Sequence, residues 1–284
     1  MRKLILILFI LLSCASLANS GGIISFPGGG VPSGAAVDYS SIVSFINAEG
    51  TWVGTTTANV CTEANDYTLG ASECGFDSSI DCDQDVARTT IDIFSSGNYA
   101  VANKLDGGNG FFRLEWTGGG AFDKGCFGTW VDPTGTMPAN LSTIAVFYDN
   151  APSNKIALRF RTGNKVDLQL LDDTTSELAA GEVESTTTTF HTTTHYATVC
   201  YDFSLAAGND YIELWVDGVK EDEARGEDFT NGFTVRFIYV GNFSVTDPVN
   251  QWYWDNFIIS SDPTFAEEMY AIATATTKPT GACP

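Results

Sequence analysis

His195-Tyr196-Ala197-Thr198-Val199-Cys200-Tyr201-Asp202, then Tyr211-Ile212-Glu213-Leu214-Trp215-Val216-Asp217-Gly218-Val219, then Trp252-Tyr253-Trp254-Asp255-Asn256-Phe257-Ile258-Ile259: these three stretches decide the fold. Each is short and rich in β-branched and aromatic residues, which fit a pleated, half-buried surface. In the second, Ile212, Leu214 and Val216 alternate with Tyr211, Glu213 and Trp215. A period of two is the mark of a strand with one buried face. The same period extends outward along the chain. Phe112, Leu114 and Trp116 alternate with Phe111, Arg113 and Glu115, and Ile144, Val146 and Tyr148 with Ala145 and Phe147. Ile156, Leu158 and Phe160 alternate with Ala157, Arg159 and Arg161, and Val166, Leu168 and Leu170 with Asp167 and Gln169. Thr162-Gly163-Asn164-Lys165 and Val216-Asp217-Gly218-Val219 are tight-turn signals, since Gly, Asn and Asp tolerate the positive φ that two-residue hairpins require. The pattern predicts an all-β fold, an antiparallel β-sandwich of the jelly-roll type. One short C-terminal helix is expected, capped by Asp262, with Pro263 at its first position, and running to about Ala271.

The order and residues of these three stretches resemble the second half of a laminin-G-like or concanavalin A-like lectin-glucanase jelly roll. In that superfamily a strand of the kind His-x-Val-x-Val-x-Tyr-Asp precedes one ending in Tyr-Val-Asp-Gly, and Asp-x-Val-x-Ile closes the fold. Here Ala197, Val199, Tyr201 and Asp202 match the first, Trp215-Val216-Asp217-Gly218 the hairpin, and Asp255, Phe257 and Ile259 the closing strand. The resemblance implies extracellular recognition, but the superfamily holds lectins, adhesion modules, glucanases and polysaccharide lyases alike, and a fold does not name a function.

The N-terminus reads as an export signal. Arg2 and Lys3 precede the short apolar run Leu4 to Leu12, and small residues follow. The expected organisation is a signal peptide over 1–20, a Gly/Pro-rich tether over 21–39, a sandwich over 40–265, and the end of a short helix with a tail over 266–284. Leu11-Leu12-Ser13-Cys14 resembles a bacterial lipobox, which makes a lipid anchor at Cys14 an alternative to simple cleavage. No run is long enough to span a bilayer, which takes roughly 20 apolar residues. The other six cysteines, Cys61, Cys74, Cys82, Cys126, Cys200 and Cys283, are even in number and contain no C-x-x-C. In an exported chain that points to disulfides, in any of about 15 connectivities. A net charge of −21 repels phosphate backbones and so disfavours nucleic acid as a partner.

The chemistry-bearing residues support several readings. No strand carries the Glu-x-Asp-x-x-Glu pattern of the glucanase branch, which disfavours retaining glycoside hydrolysis. A lyase list can be assembled from Arg113, Arg159, Arg161, Gln169, His191 and His195. The strand parity turns Arg113, Glu115, Arg159, Arg161, Gln169, Glu213 and Trp215 away from the core, either onto a plain solvated sheet face or into a concave glycan groove with Trp215 as a stacking platform. Trp252 and Trp254 share a parity and are further candidates for ring contact with sugar. The expected ligand-binding set is therefore Trp215, Arg159, Gln169, Trp252 and Trp254. His191 and His195 are a weak metal pair without a third ligand. Asp81, Asp83 and Asp85 alternate in an oxygen-rich stretch that could hold Ca2+, though Val86 stands where an EF-hand needs glycine. The reading that best fits is a secreted or cell-surface, non-catalytic module that recognises extracellular polysaccharide or glycoconjugate. A divergent polysaccharide lyase or glycoside hydrolase is one alternative, and a protein-binding adhesin or structural surface protein another.

Overall fold

The computed structural model describes residues 37–47, 51–52, 60–61, 67–68, 71, 73–75, 80–82, 86–89, 100–103, 110–115, 122–133, 143–148, 155–171, 182–206, 208–227, 234–235, 237–242, 252–274 and 279–283. For 51–115, apart from 71 and 73–75, only the backbone is described. The expected signal peptide, nearly all of the tether, Cys14, Asp83 and Asp85 lie outside these residues; Asp81 is placed by its backbone alone.

Two antiparallel sheets face each other, as the alternation predicts. One sheet runs in the order Val219–Glu227, Asp210–Val216, His195–Asp202, Lys124–Asp132, Tyr253–Ser260, Ala100–Asn103, Val86–Thr89 and Val60–Cys61. Ile42–Ile46 also pairs with Tyr253–Ser260. The other runs Val183–Glu184, Lys165–Leu171, Lys155–Arg161, Thr143–Tyr148, Phe237–Asn242, Gly110–Glu115 and Ile80–Cys82. Inward residues of both sheets share one core: Ile156, Leu158, Phe160, Val166, Leu168 and Leu170 from the second meet Ala197, Val199, Ile212, Leu214 and Val216 from the first. Phe127 links the layers through rings, with centroids 4.9 Å from Phe147 and 4.7 Å from Phe257.

The two turns form as their residues dictate. Asn164 and Gly163 take φ of 61° and 82°, and Asp217 and Gly218 take 51° and 76°. Asp217-Gly218 is a two-residue loop between the paired Val216 and Val219, and Thr162-Gly163-Asn164 a three-residue loop between Arg161 and Lys165; in both, left-handed residues let the chain reverse with the right-handed strand twist. A register shift between Thr143 and Ala145 breaks the parity of that strand, so Ile144, Ala145 and Phe147 all reach the core. Such a bulge cannot be read from an alternating pattern.

The helix differs from expectation. It spans Ala266–Ala273, with Phe265 as its N-cap residue and no side-chain cap. Asp262 instead accepts from the Thr264 amide at 2.9 Å and its hydroxyl at 2.8 Å. The carboxylate is thus consumed in a turn one residue short of the helix, a use of Asp that competes with capping. Pro263 precedes the helix rather than opening it.

The helix lies on the outer face of the larger sheet. Its last carbonyl, of Ala273, accepts from the Trp130 indole at 3.0 Å and the Asn256 amide at 2.8 Å. Those two donors satisfy a group that a helix end otherwise leaves orphaned. Tyr270 stacks against Trp130 with centroids 5.8 Å apart, and Trp130 against Tyr196 at 5.1 Å. Gly128 makes room for Tyr196: a Cβ there would stand 2.6 Å from the hydroxyl and 2.7 Å from Cε1. Gly128→Ala is therefore expected to destabilise the domain by about 1–3 kcal/mol, the usual cost of overpacking a closed site. Thermal melting checks this, and an unchanged midpoint would show that the ring can move aside.

Two disulfides are present among the described residues. Cys126 and Cys200 stand directly opposite each other on adjacent strands, and Cys74 joins Cys283 across 209 residues. Backbone bonds reinforce the second link, because Phe45 and Cys74 exchange amide bonds of 2.7 and 2.9 Å and Cys283 donates to the Ile42 carbonyl at 2.8 Å.

Candidate functional site

The strand pairing separates residues that parity had grouped. Arg159 and Gln169 sit on the outer face of the smaller sheet, whereas Trp215 sits on the outer face of the larger one. They cannot line one groove. Arg159 is also buried, at 6% exposure, rather than solvent-facing. Its Nε and Nη2 donate to the two oxygens of Asp167 at 3.1 and 2.8 Å, and its Nη1 donates to Gln169 at 2.5 Å. Asp167 is fully buried and lies within 3.5 Å of Arg161 as well. Arg161 and Lys165 continue the ladder to Glu184, whose carboxyl is held below its ordinary value chiefly by the Lys165 bond. This chain of three cations and two carboxylates pins three strands together.

Trp252 and Trp254 correct a second expectation. Both are fully buried, so neither offers a ring to a ligand. Every residue of Tyr253–Ser260 is buried, because the strand runs mid-sheet with core on one side and, at Asn256, the helix on the other. Trp254 belongs to the core and lies 6.1 Å from Phe257.

Trp215 is half-buried on the outward face of Asp210–Val216, and its indole N–H donates to Glu213 Oε2 at 3.0 Å. Opposite it on the outermost strand stands Lys220, and opposite Tyr211 stands Arg225. Arg225 lies over the Tyr211 ring at 4.3 Å and bonds both Glu213 and Glu223. Glu223, bound by Arg225 and then by Lys220 at 2.9 Å, is held down at about 2. The result is a shallow strip with one aromatic face, flanked by two cations and two carboxylates of balanced charge. Tyr211 itself is raised to about 12 by burial and then by Glu213, so it stays a neutral phenol.

The histidines do not form a metal pair. His191 keeps a buried Nε2 with no protein partner, its ring 5.7 Å from Phe160. Burial holds its basicity below the usual imidazole value. His195 spends both ring nitrogens elsewhere, with Nδ1 2.7 Å from Asp217 and Nε2 2.7 Å from the Thr189 hydroxyl. Among the described residues no group of three or more His, Cys, Asp or Glu side chains is placed to hold a metal ion. This Thr189–His195–Asp217 chain was not singled out from the sequence. The signal was present, though: the Asp217-Gly218 turn folds back onto the start of the strand that His195 opens.

No protein-family model matches the chain, and no curated protein matches it. Solved structures do. The chain is similar to the receptor-binding domain of botulinum neurotoxin C/D mosaic serotype, at 13% identity and a TM-score of 0.53, over 83% of this chain and 51% of that one. It is similar also to the botulinum neurotoxin serotype D ligand-binding domain in complex with N-acetylneuraminic acid, at 16% identity and a TM-score of 0.53, over 84% and 51%. At these identities the likeness is one of fold alone, a β-sandwich. The chain spans about half the length of those structures.

Proposed function

We propose that this chain is an exported recognition module of the laminin-G-like or concanavalin-like type, which binds polysaccharide or glycoconjugate without cleaving its backbone. The observation that carries the reading is Trp215, a half-buried ring locked by Glu213 at the centre of a polar strip. A sugar presents apolar C–H faces ringed by hydroxyls. A fixed aromatic plane with hydrogen-bonding groups at its rim is the matching surface. The botulinum neurotoxin serotype D ligand-binding domain, similar in fold over about half its length, is in complex with N-acetylneuraminic acid, which makes sugar a ligand class to test here. The two disulfides support an oxidising compartment and hence export. Surface attachment through a lipid at Cys14 remains part of the proposal, resting on the sequence around that residue.

The lyase alternative needs a free arginine to neutralise a uronate. Arg159, one of the three arginines in the lyase list, is spent on Asp167 and Gln169, which counts against it in that role. An adhesin would use the same strip on a protein surface.

Incubation with a panel of neutral and acidic polysaccharides, read by affinity electrophoresis and by product analysis, decides among these. Retardation with intact polymer supports the module. Unsaturated or shortened products overturn it in favour of an enzyme, and no retardation overturns the carbohydrate reading.

A further inference from the structure

The polar chain at the start of the His195–Asp202 strand has the geometry of a nucleophilic centre. His195 is nearly buried, with its Nδ1 2.7 Å from Asp217 Oδ2. The other Asp217 oxygen accepts the Tyr196 amide at 2.8 Å, and the Asp217 amide donates to the Tyr196 carbonyl at 2.9 Å. The carboxylate is thus fixed on a tight turn. With Asp217 accepting from Nδ1–H, the tautomer leaves Nε2 as an acceptor, and Nε2 stands 2.7 Å from the Thr189 hydroxyl. Nucleophile to base and base to orienting carboxylate are both at hydrogen-bond reach, which is the relation that activates a hydroxyl.

Thr189 is positioned rather than adrift. Its carbonyl accepts the amides of Thr192 and Thr193 at 2.9 and 2.8 Å. Its neighbour Phe190 is fully buried, donates to Asn164 at 3.0 Å, and stacks on the His195 ring with centroids 4.8 Å apart. Thr189 itself is exposed to solvent, whereas the base behind it is covered. The amides of Thr188 and Thr189 donate to nothing among the described residues. They are the donors nearest in sequence to meet an oxyanion.

We propose that Thr189, His195 and Asp217 form a hydrolytic centre for small acyl esters. The Thr189 Oγ attacks the ester carbonyl as its proton passes to His195 Nε2. The carbonyl oxygen carries the charge of the tetrahedral adduct. Collapse breaks the bond to the alcohol oxygen, which takes the proton from Nε2 and departs. Water then repeats the sequence on the acyl-threonine, releasing the carboxylic acid and restoring the hydroxyl. Asp217 does not lose or gain a proton; it holds the imidazole and stabilises the imidazolium. This centre is distinct from the Trp215 strip, and neither proposal depends on the other.

The test uses the whole protein with p-nitrophenyl acetate and, separately, a fluorophosphonate probe read by intact mass and peptide mapping. The native protein is expected to hydrolyse the ester and to gain one phosphonyl group on Thr189. Thr189→Val keeps the side-chain shape but leaves His195 Nε2 without its hydroxyl, so it is expected to melt at a lower temperature than the native protein and is assayed well below its melting temperature. It should lose the label and slow hydrolysis by about 100-fold or more, because the hydroxyl that His195 activates is gone. Thr189→Ser should keep both, with the label at residue 189. His195→Gln should label at least about tenfold more slowly. Absence of an adduct on the native protein, or equal hydrolysis by Thr189→Val, would overturn the proposal and leave the three residues as a structural clasp.

Discussion

Trp215→Ala is expected to weaken polysaccharide binding by roughly 30-fold while leaving the melting temperature nearly unchanged. An aromatic anchor at the centre of a contact costs about 2 kcal/mol or more on truncation, and about 1.4 kcal/mol corresponds to tenfold in Kd. The ring is half-buried and lies outside the core cluster, so its loss empties no cavity in the sandwich. Glu213 loses one partner but retains Arg225 and Lys220. Isothermal titration against the tightest polysaccharide of the panel measures the first effect and calorimetric melting the second. Trp215→Phe should recover part of the affinity, since it keeps a ring and loses only the indole donor. Equal affinity for Trp215→Ala and the native protein would move the binding surface elsewhere.

Asp167→Ala is expected to produce the largest stability loss of any single polar substitution in the domain, about 3–5 kcal/mol. For a domain of this size that corresponds to a fall in Tm of roughly 10 °C. Asp167 is fully buried and is the bidentate partner of Arg159, itself 6% exposed. Its removal leaves a nearly buried guanidinium bonded to neutral Gln169 but without its bidentate carboxylate. The double change Asp167→Leu with Arg159→Met removes both charges and should recover most of the loss, because the penalty belongs to the unpaired ion rather than to the missing contact. A double variant no better than the single one would show that the pair, and not its imbalance, holds the three strands.

The alternation of Ile156, Leu158 and Phe160, of Val166, Leu168 and Leu170, and of Ile212, Leu214 and Val216 was sufficient to read the sandwich. Each set turns one side to a shared core, and a period of two carries that information locally. The turns at Gly163-Asn164 and Asp217-Gly218 were legible for the same reason, since φ preference belongs to the residue. Which outer faces coincide was not legible. Arg159 and Trp215 share a parity but not a sheet, and only the strand order separates them. Parity also fails where both faces are covered. Tyr253–Ser260 has eight buried residues, and nothing in its pattern marks Trp254 as core rather than platform. The Cys126–Cys200 link depends on two distant strands meeting in one register, which spacing along the chain does not encode. The Asp262 turn was missed because one carboxylate serves equally well as a helix cap or as an Asx turn, and the backbone that follows decides between them.

The bond between Cys74 and Cys283 closes most of the domain into a covalent ring. A load applied between the chain ahead of Ile42 and the C-terminus passes through that sulfur bridge, not through the strands it encloses. Tension can straighten only the residues before Cys74, from Asp38 onward a contour of roughly 130 Å at about 3.6 Å per residue. The 209-residue interval inside the ring is shielded from extension so long as the thiols stay oxidised. The covalent link therefore sets how far the protein can be drawn out under tension.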